Sequence, residues 1–445
     1  MWEALAMADD KKLKEQQGLP EGWKRISLGD KDYFKIVGSG IEYFEGFKNY
    51  LSTNSVQGTK ITHIEDVITY KNRPSRANMQ PKKGRLAFAR MRNTVKVLLI
   101  DENLEKDYIL STGFVLLESK IEPKFVYQYL ISDFFNKQKD ILAEGTTQEA
   151  ISNDDLNRIF IIFPENKLEQ RKIAEILETV DNAIEKTEKI IEKYKRIKQG
   201  FLQDLLTKGI DENGNIRSEK THKFKDSPIG RIPEEWEVVK LGEVSFITSS
   251  KRIYYDEYLT EGVPFFRSKE IIELFNGTFS GATLYISYDK FKNIMNKFGV
   301  PEAGDILITA VGTLGVVYLV KKEDLPFYFK DGNLLWLKLR EKLNKVYFVK
   351  CFNLWYRIQE DDLIIGTSQP ALTIEKLKKM LLPLPSLPEQ QRIAEILSQI
   401  DQTIEKEEQY KEKLERLKQG LMQDLLTGKV RVNHLIEEGA ENVST

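Results

Sequence analysis

Between residues 173 and 194 the apolar positions step by alternating fours and threes: Ile173, Leu177, Val180, Ile184, Thr187, Ile191 and Tyr194. That is the spacing of a helix that buries a narrow seam against another helix. The same stepping recurs at Ile393, Leu397, Ile400, Ile404, Leu414, Leu417 and Leu421, with the polar Glu407 and Lys411 in mid-seam. The two stretches are copies: residues 169–207 and 389–427, 220 positions apart, are identical at 23 of 39 positions without a gap. Thirty-nine helical residues span about 58 Å, too long a stripe to bury inside one small domain. Each helix therefore needs a partner helix, and the other copy is the nearest one. A generic coiled coil is the bland alternative, and two near-identical copies, each following a different globular segment, weigh against it.

Outside the long helices the pattern changes to short apolar runs bounded by turn residues, and these too come in pairs. GLPEGWKRISLGD (18–30) matches GRIPEEWEVVKLGEV (230–244) at Pro20/Pro233, Trp23/Trp236, Leu28/Leu241 and Gly29/Gly242. KKGRLAFAR (82–90) pairs with EAGDILITA (302–310), and STGFVLLE (111–118) with DGNLLWLK (331–338); both pairs read as strands. GTTQEAISNDDL (145–156) pairs with GTSQPALTIEKL (366–377), where Ser152 and Thr373 suit the N-caps of short helices. Each half closes on an apolar run ending in proline, IFIIFPE (159–165) and MLLPLPS (380–386). The expected organisation is a flexible tail at 1–18, a globular segment at 19–166, a long helix at 167–208, a linker or exposed loop at 209–228, a second globular segment at 229–387, a second long helix at 388–428 and a tail at 429–445.

Duplicated halves usually pack about a pseudo-twofold axis. Such an axis makes the helices antiparallel and sends the globular segments to opposite ends. The fold class expected is α+β: two globular α/β domains separated by two long antiparallel coiled-coil helices. Two rigid modules on a spacer suit a split ligand, and duplex DNA with half-sites about 34–36 Å apart is the commonest one.

Composition narrows the chemistry. The 445 residues allow two or three domains, and 41% hydrophobic residues suffice for a core in each. A net charge of −1 supplies no bulk field toward polyanions, so any such site must be local. Cys351 is the single cysteine, which excludes an internal disulfide and reads as a core thiol. The three histidines, His63, His222 and His434, have no ligand-spaced neighbours, which argues against zinc. No apolar run reaches a membrane span, and the N-terminal stretch lacks a basic n-region, so a soluble cytoplasmic protein is expected.

A local basic field does occur. Residues 60–96 carry Lys60, Lys71, Arg73, Arg76, Lys82, Lys83, Arg85, Arg90, Arg92 and Lys96 against Glu65 and Asp66, a net +8. Much of this lies in the irregular stretch 70–85, whose guanidinium and amide groups suit phosphates and base edges; a solvated loop is the alternative. The second half is weaker: Lys251 and Arg252 stand beside Tyr254 and Tyr255, and Arg267 and Lys269 follow a Phe-Phe pair, but residues 251–300 sum to only +1. In the Gly-Thr-Thr-Gln and Gly-Thr-Ser-Gln elements, Thr147, Gln148, Ser368 and Gln369 sit before helix starts, where backbone N–H groups can receive a phosphate or simply form a turn. Both long helices end in KQGxxQDLLT, with Gly200, Gln203 and Leu206 in one and Gly420, Gln423 and Leu426 in the other. A mid-helix glycine costs about 1 kcal/mol relative to alanine. Either the helices terminate there or a second backbone approaches closely.

Catalytic patterns are missing. There is no Pro-Pro pair for an amino-methyltransferase motif, no P-loop, and no Pro-Asp partner for the Glu-x-Lys triplet at 118–120. The VGSG at 37–40 is too little for a nucleotide fingerprint.

These motifs together resemble the specificity subunit of type I restriction-modification enzymes over about 410 of the 445 residues. The resemblance rests on LPEQQRIAEIL (387–397) with LEQRKIAEIL (168–177), KQGLMQDLLTG (418–428) with KQGFLQDLLTKG (198–209), the paired P-x-x-W openings and the GT[ST]Q elements. It implies two target-recognition domains, each reading half of an asymmetric bipartite site in double-stranded DNA. It also implies that the helices act as spacer and as docking site for two methylation subunits, which handle S-adenosylmethionine. Two restriction subunits would add ATP- and Mg-dependent translocation and cleavage, leaving this chain non-catalytic. The rival from another class is a coiled-coil adaptor whose end domains bind non-DNA ligands, which leaves the +8 segment unexplained.

Overall fold

The computed structural model describes residues 18–143, 149–365 and 370–436. The chain divides into two compact units, residues 1–188 with 409–445, and residues 189–408. The division runs through both long helices, Lys167–Thr207 and Leu387–Leu425, so each unit contains a segment of each.

The first unit is built on an antiparallel sheet ordered Phe34–Val37, Phe114–Ser119, Leu86–Ala89 and Val97–Leu99. Its two inner strands are the paired apolar runs of the sequence, and Leu86, Ala87, Phe114, Val115, Leu116 and Leu117 are each 0% exposed. A second sheet is ordered Asp66–Ile68, Lys48–Leu51, Tyr108–Ser111 and Ala77–Met79, and its middle pair runs parallel. The helices Pro123–Ile131 and Asp133–Leu142 cover the first sheet. Trp23–Ser27 pairs antiparallel with Phe160–Pro164, which delivers the chain into the first long helix.

The second unit repeats this plan. Its main sheet is ordered Ser245–Thr248, Leu334–Leu339, Ile306–Thr309 and Val317–Leu319, again antiparallel. Val263–Phe266 runs parallel to Tyr328–Phe329, and Glu237–Lys240 pairs with Leu381–Leu384 just before the second long helix. The helix Lys345–Ile358 packs Tyr347, Phe348, Cys351, Phe352 and Trp355 into the core. Burial pushes the Cys351 thiol well above its ordinary pKa, so it is an inert core group.

The two helix segments run antiparallel within each unit. In the first, Lys418 pairs with Asp181 at 2.6 Å and Lys411 with Glu188 at 2.9 Å. In the second, Lys198 pairs with Asp401 at 2.6 Å and Lys195 with Glu408 at 2.7 Å. Lys418–Asp181 and Lys198–Asp401 are the same contact in the two repeats. The helix starts also match: Gln170 accepts from Glu122 N–H and donates to the Pro164 carbonyl, while Gln390 accepts from Asn344 N–H and donates to the Pro385 carbonyl.

Several expectations are corrected. Leu417, assigned to the seam, is 52% exposed, because stepping four residues on from Leu414 lands on Lys418, which faces Asp181 instead. Residues 209–228, read as a linker or exposed loop, are largely exposed but carry ordered structure anchored at buried Ile210 and Arg217. Ile210 bridges Ile216, Phe224–Ser227 forms a hairpin with Gly230–Pro233, and Arg217, 6% exposed, reaches Glu389 and Glu235. Residues 429–436 are not a free tail: Val432 is 2% exposed, and Arg431 donates to the buried Glu169 at 2.6 and 2.9 Å. The stretch 70–85 contains a strand at Ala77–Met79. Thr373 caps its helix, but Ser152 stands one residue before the N-cap Asn153 and accepts from Asp155 N–H at 3.3 Å.

Candidate nucleic-acid interface

The basic groups of the first unit divide into two sets. Lys71, Arg76 and Lys82 are exposed and form no ion pair with any described residue. Arg73 lies over the Tyr70 ring at 4.3 Å and donates to the Tyr70 carbonyl, which fixes its guanidinium beside that ring. The others already have partners. Lys83 pairs with Glu102, Arg85 with Glu118 at 3.1 Å and Arg92 with Glu149 at 2.6 Å. Arg90 donates to Asn153 at 2.8 Å and to the Ile151 carbonyl at 3.3 Å, and burial pulls its pKa below the ordinary arginine range. Arg85 and Arg90 are largely withdrawn from solvent and brace the strands, Lys83 and Arg92 stay exposed with a carboxylate beside each, and Glu118 of the Glu-x-Lys triplet is occupied by Arg85.

The turn that carries Arg90 and Arg92 is held from inside by a residue that composition did not single out. Lys139, 1% exposed, donates to the Met91 carbonyl at 3.0 Å and to the Thr94 carbonyl, while Asp140 accepts from Asn93 N–H at 3.0 Å. Burial pulls the Lys139 ammonium below its ordinary pKa, and neighbouring Asp140 opposes that shift. Asn93 has a left-handed backbone, φ 55°, at the tip of this turn.

In the second unit, Lys251 lies over the Phe298 ring at 4.8 Å and Arg252 pairs with Asp331 at 3.0 Å. Tyr254 is 64% exposed. Arg267 is bound to the buried Glu270 at 2.7 Å and to Thr283 at 2.8 Å, and Lys269 pairs with Glu273 along the same helix at 3.6 Å. Arg267 is therefore a fastening of the helix start rather than a free cation. Thr147, Gln148, Ser368 and Gln369 lie outside the described residues.

On the long helices, the termination alternative for Gly200 and Gly420 is excluded, since helix continues to Thr207 and Leu425. A Cβ at either glycine meets nothing within 4 Å, so no described part of this chain supplies a close backbone. Gln203 and Gln423 are exposed beside them. Leu206 and Leu426, assigned to partner contact, are each 0% exposed and belong to the cores of their own units. The two helix copies agree at six exposed positions here: Glu192/Glu412, Lys193/Lys413, Arg196/Arg416, Gln199/Gln419, Gly200/Gly420 and Gln203/Gln423.

Comparison with known proteins decides the family. The model of the type I restriction modification DNA specificity domain matches twice, over residues 20–196 and 233–416. The chain belongs to that family. It is 30% identical to the type I restriction enzyme MjaVIII specificity subunit of Methanocaldococcus jannaschii, covering 96% of this chain and 97% of that protein. The putative MjaX specificity subunit of the same organism is 28% identical, over 93% and 95%. The fold matches a chain from a structural study of assembly and conformational transition in the type I R-M system, with a TM-score of 0.58, 22% identity and coverage of 93% and 100%. It also matches the type I restriction-modification S subunit from M. genitalium, with a TM-score of 0.53, 18% identity and coverage of 93% and 98%.

This specificity subunit has no cluster of three or more His, Cys, Asp or Glu able to hold a metal ion among its described residues. Nor is any described helix long and apolar enough to cross a membrane. Sequence reasoning missed Lys139 and the outward aromatic residues Tyr43 and Phe47, which are 67% and 74% exposed; Tyr255, which it set beside Lys251 and Arg252, is 91% exposed. Aromatic residues inside a polar, turn-rich stretch were the available signal for Tyr43 and Phe47.

Proposed function

We propose that this non-catalytic subunit gives a type I restriction-modification complex its DNA sequence specificity by reading a bipartite site, one half-site per unit. The paired helices set the distance between the half-sites. The duplication carries this reading: two copies of one sheet plan, each leading into one of two helices joined by the same Asp–Lys contact in both repeats. A repeated protein of this kind suits a repeated spacing on a ligand, and Lys71, Arg73, Arg76 and Lys82 give the first unit the charge to hold phosphates.

The repeated surface of the helices is assigned to partner subunits. Gly200 and Gly420 lower helix stability, by about 1 kcal/mol each relative to alanine, with no compensating contact among the described residues. Identical exposed positions around them fit two copies of one partner, the methylation subunit, one per helix end. S-adenosylmethionine, ATP and Mg belong to such partners, and restriction subunits join through them.

The test is a binding titration of the chain with its methylation subunits on a duplex carrying the site found by methylome sequencing. Alanine at Lys71, Arg76 and Lys82 lowers affinity for cognate and scrambled duplexes alike. It also reduces the dependence of log affinity on log salt by about one for each phosphate that is no longer neutralised. An unchanged salt dependence would remove these residues from the interface, and a wild-type complex unable to tell the two duplexes apart would remove the function.

A further inference from the structure

The two units share a feature that their aligned sequence motifs do not include. In each, the first strand of the main sheet leads through a loop to the strand that pairs in parallel: residues 38–47 after Phe34–Val37, and 249–262 after Ser245–Thr248. Both loops contain Ile-x-Tyr, Ile41 to Tyr43 and Ile253 to Tyr255. The isoleucine faces inward in both. Ile41 packs on the group formed by Tyr50, Ile68, Ala77 and Ile109, and Ile253, 5% exposed, packs with Val263, Phe265 and Tyr328. The tyrosine two residues later faces outward, 67% exposed at Tyr43 and 91% at Tyr255.

These loops are fastened to their units. Gly40 N–H donates to the Asn78 carbonyl at 2.8 Å and Glu42 N–H to Gln80 at 3.3 Å. In the second unit Lys251 N–H donates to the Tyr328 hydroxyl at 2.6 Å, and Tyr254 N–H to Glu257 at 2.9 Å, a carboxylate that Lys290 also holds. Within the chain each ring has one edge-on aromatic neighbour, and most of its surface is left in water. Each ring meets a second tyrosine, and the charge around the pair is mixed. Tyr43 meets Tyr70 edge-on at 5.1 Å, and Arg73 covers the same Tyr70, with Glu42 and Glu45 beside Tyr43 in the loop; Tyr255 meets Tyr258 at 6.2 Å, between Arg252, which Asp331 holds, and Asp256. A held aromatic tip offers a flat apolar surface that can lie against base edges and thymine methyls in a duplex groove, a contact that a phosphate surface alone does not provide.

We propose that Tyr43 and Tyr255 are specificity-determining residues that press their rings onto bases, one tyrosine for each half-site. This rests on the DNA-reading function above and extends it to particular base contacts. Rings act through apolar contact with base edges, so their contribution does not release counterions and does not vary with salt.

The experiment uses the full chain in complex with its methylation subunits, titrated onto cognate and scrambled duplexes at several salt concentrations, with Tyr43→Ala, Tyr255→Ala and the corresponding Phe variants. Expected are a loss of cognate affinity of about tenfold for each alanine variant, parallel salt lines, unchanged binding to the scrambled duplex and near-complete rescue by phenylalanine. Methylome sequencing of hosts carrying the variants shows Tyr43→Ala relaxing one half-site and Tyr255→Ala the other. Wild-type cognate affinity in the alanine variants overturns the proposal. So does a shallower salt line, which marks a phosphate contact, or failure of the variant to assemble with the methylation subunits, which marks a protein contact. If the wild-type complex does not distinguish the two duplexes, the DNA-reading function itself has failed.

Discussion

Arg217 gives the sharpest test of the packing, because a linker arginine and a buried arginine predict opposite results. Its guanidinium, 6% exposed, meets Glu389, whose side chain is 9% exposed; that carboxylate also accepts from Ile210 N–H at 2.9 Å and from the Trp236 indole at 3.2 Å. Arg217→Ala removes the only cation paired with this carboxylate among the described residues and leaves two neutral donors. Breaking a buried pair costs about 3–5 kcal/mol, and the two remaining donors place this one near 3 kcal/mol. In a unit of this size each kcal/mol lowers the melting temperature by about 2–4 °C, so a fall of about 6–12 °C is expected. Thermal unfolding of the full chain, followed by tryptophan fluorescence and circular dichroism, measures it. Arg217→Met with Glu389→Gln should recover part of the loss, since no buried charge is left unpaired and the amide oxygen can still accept one of the two hydrogen bonds that the carboxylate takes from Ile210 N–H and the Trp236 indole. A melting temperature within about 1 °C of wild type in Arg217→Ala would refute the argument, because that is what a solvated linker residue gives.

Gly200→Leu and Gly420→Leu should leave the melting temperature unchanged or slightly raised, as a Cβ there meets nothing within 4 Å, yet abolish co-elution with the methylation subunit on size exclusion. Removing one heptad from each helix, residues 184–190 and the facing 409–415, shortens the pair by about 10 Å. The accepted gap between half-sites should then fall by about three base pairs while each half-site sequence is kept, as methylome sequencing would report. Burial alone would raise the Asp401 carboxyl, but hydrogen bonds and attraction from Lys198 and Lys350 outweigh it and hold the group below the usual carboxylate range. Its stabilisation is therefore complete above the unfolded carboxyl pKa and is lost as pH falls through the lower folded value; urea midpoints from pH 6 to pH 3 should fall less steeply in Asp401→Asn.

The long helices were legible because their period persists over many turns, and the main strands because their apolar runs are short, turn-bounded and duplicated. What stayed hidden depends on partners far along the chain. Residues 209–228 look polar, but Arg217 finds Glu389 172 positions later, and that contact turns a polar stretch into a folded one. Leu417 and Lys418 exchange the roles that hydrophobicity assigns them, because Asp181 lies opposite the lysine. The same cause thinned the set of candidate DNA contacts: Lys83, Arg85 and Arg92 count as free charge in a sequence and are ion-paired in the fold. Leu206 and Leu426 failed as docking residues for a related reason, since a motif does not say which of its side chains face inward.

Where the repeats agree, and where they do not, is itself informative. Agreement at Gln170/Gln390 and Asp181/Asp401 is explained inside the chain, by the same helix-start hydrogen bonds and the same interhelical ion pair. Agreement at exposed Lys193/Lys413, Gln199/Gln419, Gly200/Gly420 and Gln203/Gln423 has no such explanation, and an external surface met twice supplies one. The loops diverge where the helices agree. Of the candidate cations, the first unit leaves Lys71, Arg76 and Lys82 without ion-pair partners among the described residues, whereas in the second Arg252, Arg267 and Lys269 are paired and only Lys251, over the Phe298 ring, is not. A chain that met one ligand twice in the same way would keep both surfaces alike. Like helices with unlike loops instead fit a common partner bound at both ends and two different sequences read, which is what an asymmetric bipartite site demands.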